Sequence, residues 1–281
     1  MSTPTPSSSD PSGTYVIPSV LNHVARVPSP NDHTLSVWLN RVVITQNNAI
    51  VKTIPLGSTA LPTTFSLQSS LSPILNQGNL GDCVANAFAL NISTQTKNAV
   101  VPSRLYHYAN CRILQGTPLS QDSGTDIGTA ATAITQYGTC QESLWGYNTA
   151  KYNKFPPLSA YQGARNLKTF TTYYPAQTQA ALTTALYTNK TPIVFGFLVY
   201  SSFESNTVAN TGVVPVPNTS QETLLGGHCM NIIGYDNTNN WFICANSWGT
   251  SWGKSGLCYI PYTYLLNPNL AFDFCQPTFA Y

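Results

Sequence analysis

The feature that most constrains the fold is a change of hydrophobic pattern near the middle of the chain. From about residue 83 apolar residues recur at helical spacing, as in Val84, Phe88 and Ile92, which predicts a helix buried on at least one face. Beyond residue 190 the apolar residues form β-branched runs instead, at 193–200, 230–235, 241–245 and 257–260. Such runs are typical of strands. The order predicts an α+β chain, with a helical half followed by an antiparallel β half.

Local signals place the predicted helix ends. Asp82 is a natural N-cap for the first helix, and Ser103 for a second helix that carries Leu105, Ala109 and Ile113. A third helix begins near Ile127 and stops at Tyr137-Gly138, and a fourth is expected over 177–186.

Composition removes several classes of function. Lys and Arg number 12 and Asp and Glu 10, so only 8% of the residues are charged and the net charge is +2. No basic stripe is available for a phosphate backbone, which disfavours nucleic-acid binding. No apolar run reaches the roughly 18 residues of a membrane span. The start MSTPTPSSSDPSG lacks the pattern of a signal peptide, so we expect a cytoplasmic protein whose seven cysteines are reduced.

The first candidate for chemistry is a cysteine at the start of a predicted helix. Cys83 follows Gly81-Asp82, where unpaired backbone N–H groups and the helix dipole favour a thiolate. Gln77, six residues earlier, can offer a side-chain N–H to an oxyanion, and the Cys83 backbone N–H can offer another. The alternative is a buried structural cysteine, since free cysteines are among the most buried residues.

A nucleophilic thiol needs a base, and the chain has four histidines. His228 is the best placed, because Gly226-Gly227 opens the strand before it and lets another group approach. A lone histidine at a strand start is otherwise an ordinary surface or core residue. His23 and His33 lie in the N-terminal arm, and His107 lies on a helix where packing or exposure is expected.

The third candidate segment is Asn246-Ser247-Trp248-Gly249, at the end of the strand after His228. Asn246 can accept a hydrogen bond from one imidazole nitrogen and leave the other facing the thiol, as in a nucleophile, base and orienter triad. Trp248 could shield that bond from water. Taken alone, the segment also fits an ordinary turn in which glycine supplies an unusual dihedral angle.

Together the three segments resemble the papain-like cysteine peptidases of the C1 family. His228 follows Cys83 by 145 positions (228 − 83) and Asn246 by 163 (246 − 83), against a family separation of roughly 130 to 150 residues. The histidine fits and the asparagine lies slightly late, and the order Gln, Cys, His, Asn agrees. The segments 102–106 and 192–200 are more similar to the bacterial and viral branch than to lysosomal cathepsins.

The resemblance implies a two-lobe fold, with an N-terminal helical lobe, a C-terminal antiparallel β lobe and the active-site cleft between them. It implies catalytic roles for Gln77, Cys83, His228 and Asn246. It also implies contact of substrate with six residues, namely Ser123, Gly124, Thr125, Gly227, Cys229 and Trp248. No metal or organic cofactor is required, and we expect a monomer that acts on a protein or peptide and binds neither nucleic acid nor membrane. The low-charge, Asn- and Thr-rich composition also suits a protein packaged in a virus particle.

The chain departs from the best-known family members beside the nucleophile. Leu80 stands where they have a cysteine, so the disulfide that anchors this loop cannot form there. Asp82 could disfavour the thiolate by like-charge repulsion or cap the helix, and we expect capping. Val84 replaces a tryptophan of the cleft floor. Whether the other six cysteines pair is left open.

Two questions of organisation and function stay open. Residues 1–60 form an N-terminal arm and 61–281 the peptidase domain; the arm, with a strand-like stretch over 34–44, either lies across the cleft as an inhibitory pro-segment or extends the β lobe. The predicted activity is a thiol endopeptidase. An enzyme that passes the same acyl group to an amine, a ligase or transpeptidase, fits the same residues. A catalytically silent binding protein is the rival from another class, and the intact Gln77, Cys83, His228 and Asn246 argue against it.

Overall fold

The computed structural model describes residues 60–167 and 170–279. The predicted strand over 34–44 and the histidines His23 and His33 lie outside these residues, as does the N-terminal arm up to residue 59. In the described part of the chain, no helix has the length and apolarity needed to cross a membrane.

Seven α-helices and seven strands follow one another in these residues. The helices are α1 (Cys83–Gln95), α2 (Arg104–Leu114), α3 (Ile127–Tyr137), α4 (Leu158–Ala164), α5 (Gln179–Asn189), α6 (Asn206–Thr211) and α7 (Tyr262–Leu265). The strands are β1 (Thr64–Ser66), β2 (Phe170–Tyr173), β3 (Ile193–Tyr200), β4 (Leu224–Asp236), β5 (Trp241–Ala245), β6 (Leu257–Pro261) and β7 (Ala271–Phe279). Short 3-10 helices cover Gln68–Ser70 and Thr149–Lys151. The predicted helical half and antiparallel β half are both confirmed, although the fourth predicted helix begins two residues late.

All strands belong to one antiparallel sheet in the order β2-β7-β3-β4-β5-β6, with β1 paired to the far end of β4. Gly234 permits that last pairing. A Cβ at this position would lie 2.5 Å from the Phe65 carbonyl oxygen of β1, closer than real Cβ atoms approach a backbone. A residue without a side chain therefore lets β1 close on β4.

Two apolar cores support the two lobes. The larger core packs the inner face of the sheet against α1, α3 and α5, with Phe88, Phe195 and Ile232 fully buried. The smaller core lies in the helical lobe and includes Ala85 and Leu105. Helix α1, buried from Cys83 to Thr94, belongs to both, since Val84 and Phe88 lie in the larger core and Ala85 in the smaller. The helix that begins at Cys83 therefore joins the two lobes.

The helix ends confirm two predicted signals and overturn a third. Ser103 accepts a hydrogen bond from the Tyr106 N–H at the start of α2, and α3 ends at Gly138 with φ of 70°, a conformation that glycine adopts without strain. Asp82 holds the N-cap position of α1 but its side chain makes no capping hydrogen bond, so the expectation of capping is wrong. The Asp82 carboxyl instead contacts Asn86 and Tyr147.

Candidate active site

The candidate nucleophile lies at the first turn of α1, against strand β4. Cys83 is 1% exposed, and Asn231 of β4 donates through Nδ2 to the Ala87 carbonyl of α1 at 2.9 Å. Burial raises the pKa of the Cys229 thiol, and the nearby Cys83 adds to this effect. The start of α1 therefore lies close to β4, the strand that carries His228. The N-terminus of α1 and this part of β4 form the two sides of the site.

The predicted imidazole–amide pair is present, with His228 on β4 and Asn246 directly after β5. His228 Nε2 lies 2.8 Å from Asn246 Oδ1, and the two residues are 0% and 1% exposed. A second donor, the Ser247 N–H, also reaches Asn246 Oδ1 at 2.8 Å. Because an amide oxygen can only accept, His228 Nε2 carries the hydrogen.

Aromatic rings cover this pair from solvent. The Trp248 ring lies 4.9 Å from the His228 ring, centroid to centroid, with a tilt of 30°. Trp252 and Phe203 pack against Trp248, and Phe197 packs on the other side of the imidazole. Burial lowers the pKa of His228 to about 4, while the Asn246 hydrogen bond acts in the opposite direction. The imidazole is therefore neutral near pH 7 unless an anion lies beside it.

Gln77 is tied to the segment that follows Asn246. Its Oε1 accepts from Ser247 Oγ at 2.6 Å, its backbone N–H donates to the Ser247 carbonyl at 2.8 Å, and its Nε2 donates to the Leu80 carbonyl at 3.0 Å. Ser247 was not identified from the sequence, because 170 positions separate it from Gln77. It sets the direction of the Gln77 amide.

Polar contacts hold the loop before Cys83, where Leu80 excludes the disulfide of the best-known family members. The Gly81 N–H donates to the Asp122 carboxylate at 2.9 Å, and Tyr108 Oη donates to the same carboxylate at 2.5 Å. The seven cysteines all lie in the described residues, where each is buried and none forms a disulfide. The question left open by the sequence is thus answered in favour of thiols.

The segment Ser123-Gly124-Thr125 is buried just before α3. The Gly124 N–H donates to Tyr108 Oη at 2.9 Å, and Ser123 Oγ donates to the Gly124 carbonyl at 3.1 Å. These hydrogen bonds fix the segment, and its contact with substrate stays a prediction. Gly227 and Cys229 flank His228 on β4.

The structure also places His107, the histidine of α2. His107 is 3% exposed and packs against Phe88, and its Nε2 lies 2.9 Å from the Ala130 carbonyl, so it is a core residue as one alternative held. Among residues 60–167 and 170–279, no three His, Cys, Asp or Glu side chains are grouped as metal ligands would be.

The chain is similar to known proteins in family, in sequence and in fold. The model of the papain family cysteine proteases matches residues 61–265. An uncharacterized peptidase C1-like protein of Acanthamoeba polyphaga mimivirus is 35% identical over 255 residues, which are 83% of this chain and 81% of the relative. The viral cathepsin of Epiphyas postvittana nucleopolyhedrovirus is 25% identical over 239 residues, 80% and 68% of the two chains.

Among solved structures, xylellain, a cysteine protease from Xylella fastidiosa, superposes with a TM-score of 0.70 at 31% identity, covering 79% of this chain and 88% of its own. The digestive procathepsin L 3 of Tenebrio molitor is only 18% identical at a TM-score of 0.62. The higher identity to the bacterial protease agrees with the predicted likeness to the bacterial and viral branch. The chain belongs to the papain family of cysteine proteases and is a thiol peptidase with the two-lobe α+β fold of that family.

Proposed function

We propose that the chain is an endopeptidase in which Cys83 is the nucleophile, His228 the general base and acid, Asn246 the residue that orients the imidazole, and Gln77 an oxyanion donor. The observation that carries the proposal is the 2.8 Å contact of His228 Nε2 with Asn246 Oδ1, buried under Trp248. An imidazole held through Nε2 offers Nδ1 as its basic nitrogen.

Each proton transfer can be assigned to this arrangement. His228 Nδ1 takes the Cys83 thiol proton, and the thiolate attacks the peptide carbonyl carbon. The oxyanion is stabilised by Gln77 Nε2 and the Cys83 backbone N–H. The C–N bond then breaks as His228 passes its proton to the leaving amine, which leaves a thioester. His228 next takes a proton from water, the hydroxide attacks the thioester, the C–S bond breaks, and the proton returns to Cys83.

The electrostatics of the site support an imidazole that is charged only together with the thiolate. Burial lowers the pKa of His228 to about 4, so an isolated imidazolium is unstable there. A thiolate at the first turn of α1 is stabilised by the helix dipole and supplies the missing counter-charge at short range. In a site shielded by Trp248 and Trp252, that attraction is stronger than in water.

Substrate contact belongs to the same proposal. Gly227 and Cys229 lie on either side of His228, and Trp248 covers it. We propose that a peptide runs between this edge of β4 and the segment Ser123-Gly124-Thr125 of the helical lobe. The N-terminal residues 1–60 are proposed as an arm that limits access to the domain formed by 61–281.

Intact-mass measurement after reaction with an epoxide selective for papain-like thiols tests this proposal. We expect one adduct on the wild type, none on Cys83→Ala, and much slower labelling of His228→Ala at neutral pH. Cys258→Ala is the matched control, because it removes a buried thiol of β6 that has no proposed role and should keep the adduct. Labelling of Cys83→Ala would contradict the proposed nucleophile, and so would the absence of an adduct on the wild type.

The arm is tested in the same way by comparing the full chain with residues 60–281. If the arm limits access, the shorter form is labelled faster and cleaves a small peptide faster. Equal rates would make the arm a structural extension instead.

A further inference from the structure

The phenol of Tyr147 lies within hydrogen-bond distance of three oxygen atoms, two of which belong to Asp82, the residue before the candidate nucleophile. Tyr147 Oη is 3.0 Å from the Gln77 carbonyl oxygen and 2.9 Å from each carboxyl oxygen of Asp82. A phenol has a single hydrogen to donate. All three contacts are oxygen to oxygen, and Tyr147 is hydrogen-bonded to Gln77 and to Asp82 together only if a second hydrogen is present.

Asp82 can supply that second hydrogen. Its side chain is 0% exposed, and Asn86 Nδ2 donates to Oδ1 at 2.8 Å. Oδ2 is therefore the oxygen suited to carry a hydrogen and donate it to Tyr147. The Tyr147 hydrogen is then directed to the Gln77 carbonyl and the Asp82 hydrogen to Tyr147 Oη, so that one hydrogen bond joins Tyr147 to each residue, while Asp82 Oδ1 accepts from Asn86.

The charges around Asp82 come from several elements. Arg104 of α2 stacks on the Tyr147 ring with its guanidinium carbon 3.4 Å from the ring centroid, and Glu142 neutralises it at 2.6 Å. Asp122 adds a like charge from the loop before α3. Burial raises the pKa of Asp82 to about 8, Tyr147 and Arg104 act against that change, and Asp122 adds to it. Cys83 is the next residue along the chain.

We propose that Asp82 is a neutral acid that shares its hydrogen with Tyr147, and that the pair positions the Gln77 loop and the start of α1 for catalysis until Asp82 loses its proton. Once the carboxylate forms, the Tyr147 hydrogen turns from the Gln77 carbonyl to Asp82. A negative charge then stands beside Cys83 and disfavours its thiolate. The inference rests on the proposed roles of Cys83 and Gln77. Asp82 and Tyr147 are positioning residues that act through these two.

The pH profile of kcat/KM between pH 6 and 10 tests the pair. We expect the wild type to lose activity above about pH 8, and the alkaline limb of Asp82→Asn to move upward by roughly one pH unit. Tyr147→Phe should lower kcat several-fold with little change in KM, since it releases the Gln77 carbonyl. Asp126→Asn is the matched control, because Asp126 is a buried aspartate at the N-cap of α3 and should keep the wild-type limb. An identical alkaline limb in Asp82→Asn and wild type overturns the proposal.

A second measurement needs no variant and no catalysis. Carbon-13 NMR of aspartate-labelled wild type should show one carboxyl resonance that titrates near pH 8 instead of near pH 4. If no resonance does so, the neutral acid is wrong. If one does while the protein neither cleaves peptide nor reacts with the epoxide, the shared hydrogen is upheld, whereas its catalytic role is overturned together with the proposed function.

Discussion

At the scale of single residues, the site depends on side chains that orient other side chains. Ser247 uses three groups at once: its N–H donates to Asn246, its carbonyl accepts from the Gln77 N–H, and its hydroxyl donates to Gln77 Oε1. The proposed base-orienting amide of Asn246 and the proposed oxyanion donor Gln77 are thus joined through one serine. An error in its position would displace both.

Ser247→Ala should therefore reduce kcat by about tenfold and leave KM within about twofold, because the hydroxyl holds Gln77, the proposed donor to the transition-state oxyanion. Gln77→Ala removes the donor itself and should cost about a hundredfold or more in kcat. Steady-state kinetics on a peptide substrate measure both. Ser251→Ala, an exposed serine in the same loop, is the control. Wild-type kcat in Ser247→Ala would show that Gln77 needs no such anchor.

At the scale of elements, the close fit of β1 on β4 depends on Gly234. A methyl group there would meet the Phe65 carbonyl at 2.5 Å and the Ser66 Cα at 3.0 Å. Both neighbours are backbone atoms, so they cannot move aside by a side-chain rotation. The start of the described chain is held against the sheet by this contact.

Gly234→Ala should destabilise the protein by about 1 to 3 kcal/mol through this overpacking. Urea unfolding followed by tryptophan fluorescence gives the free energy of unfolding. Gly146→Ala serves as the control, since its Cβ would meet nothing nearer than the Glu142 carbonyl at 3.7 Å. Equal losses in the two variants would refute the steric explanation.

How much of the fold and of the candidate site could be predicted depends on whether the residues that determine each feature are neighbours in the sequence. The bounds of α2 and α3 and of β3 and β5 follow from nearby residues, such as the Ser103 cap and the glycine after Tyr137. Strands β1, β2 and β7 were not predicted, because they exist through pairing with distant partners such as Phe170 with Phe279. The four catalytic candidates were identified by motif, whereas the Asp82–Tyr147 contact joins positions 65 residues apart.

At the scale of the whole molecule, buried ionisable groups connect stability to pH. Burial lowers the pKa of His107 to about 4, as it does that of His228, whereas both titrate near 6.5 when unfolded. Acid therefore favours the unfolded chain, and stability falls as pH drops from about 6.5 toward 4. Asp82 acts in the opposite direction, since its pKa is raised to about 8 and protonation relieves a buried charge.

His107→Gln should reduce the loss of stability between pH 7.5 and pH 4.5 by on the order of 2 kcal/mol, because glutamine cannot take up a proton. Its amide can still donate to the Ala130 carbonyl, which His107 Nε2 contacts at 2.9 Å. Urea unfolding at the two pH values measures the difference. A pH dependence equal to that of the wild type would show that His107 does not titrate on unfolding.

The position of α1 in both apolar cores also governs how the enzyme ages. Because this helix is buried from Cys83 to Thr94, we expect the candidate nucleophile to be lost by unfolding of the domain and not by local opening. Each molecule is then either folded or an unfolded polypeptide, and under the proposed endopeptidase activity the unfolded molecules become substrates for the folded ones. Inactivation becomes a bimolecular process of self-digestion. It is fastest when competent and unfolded molecules are present in equal numbers, and it slows on dilution.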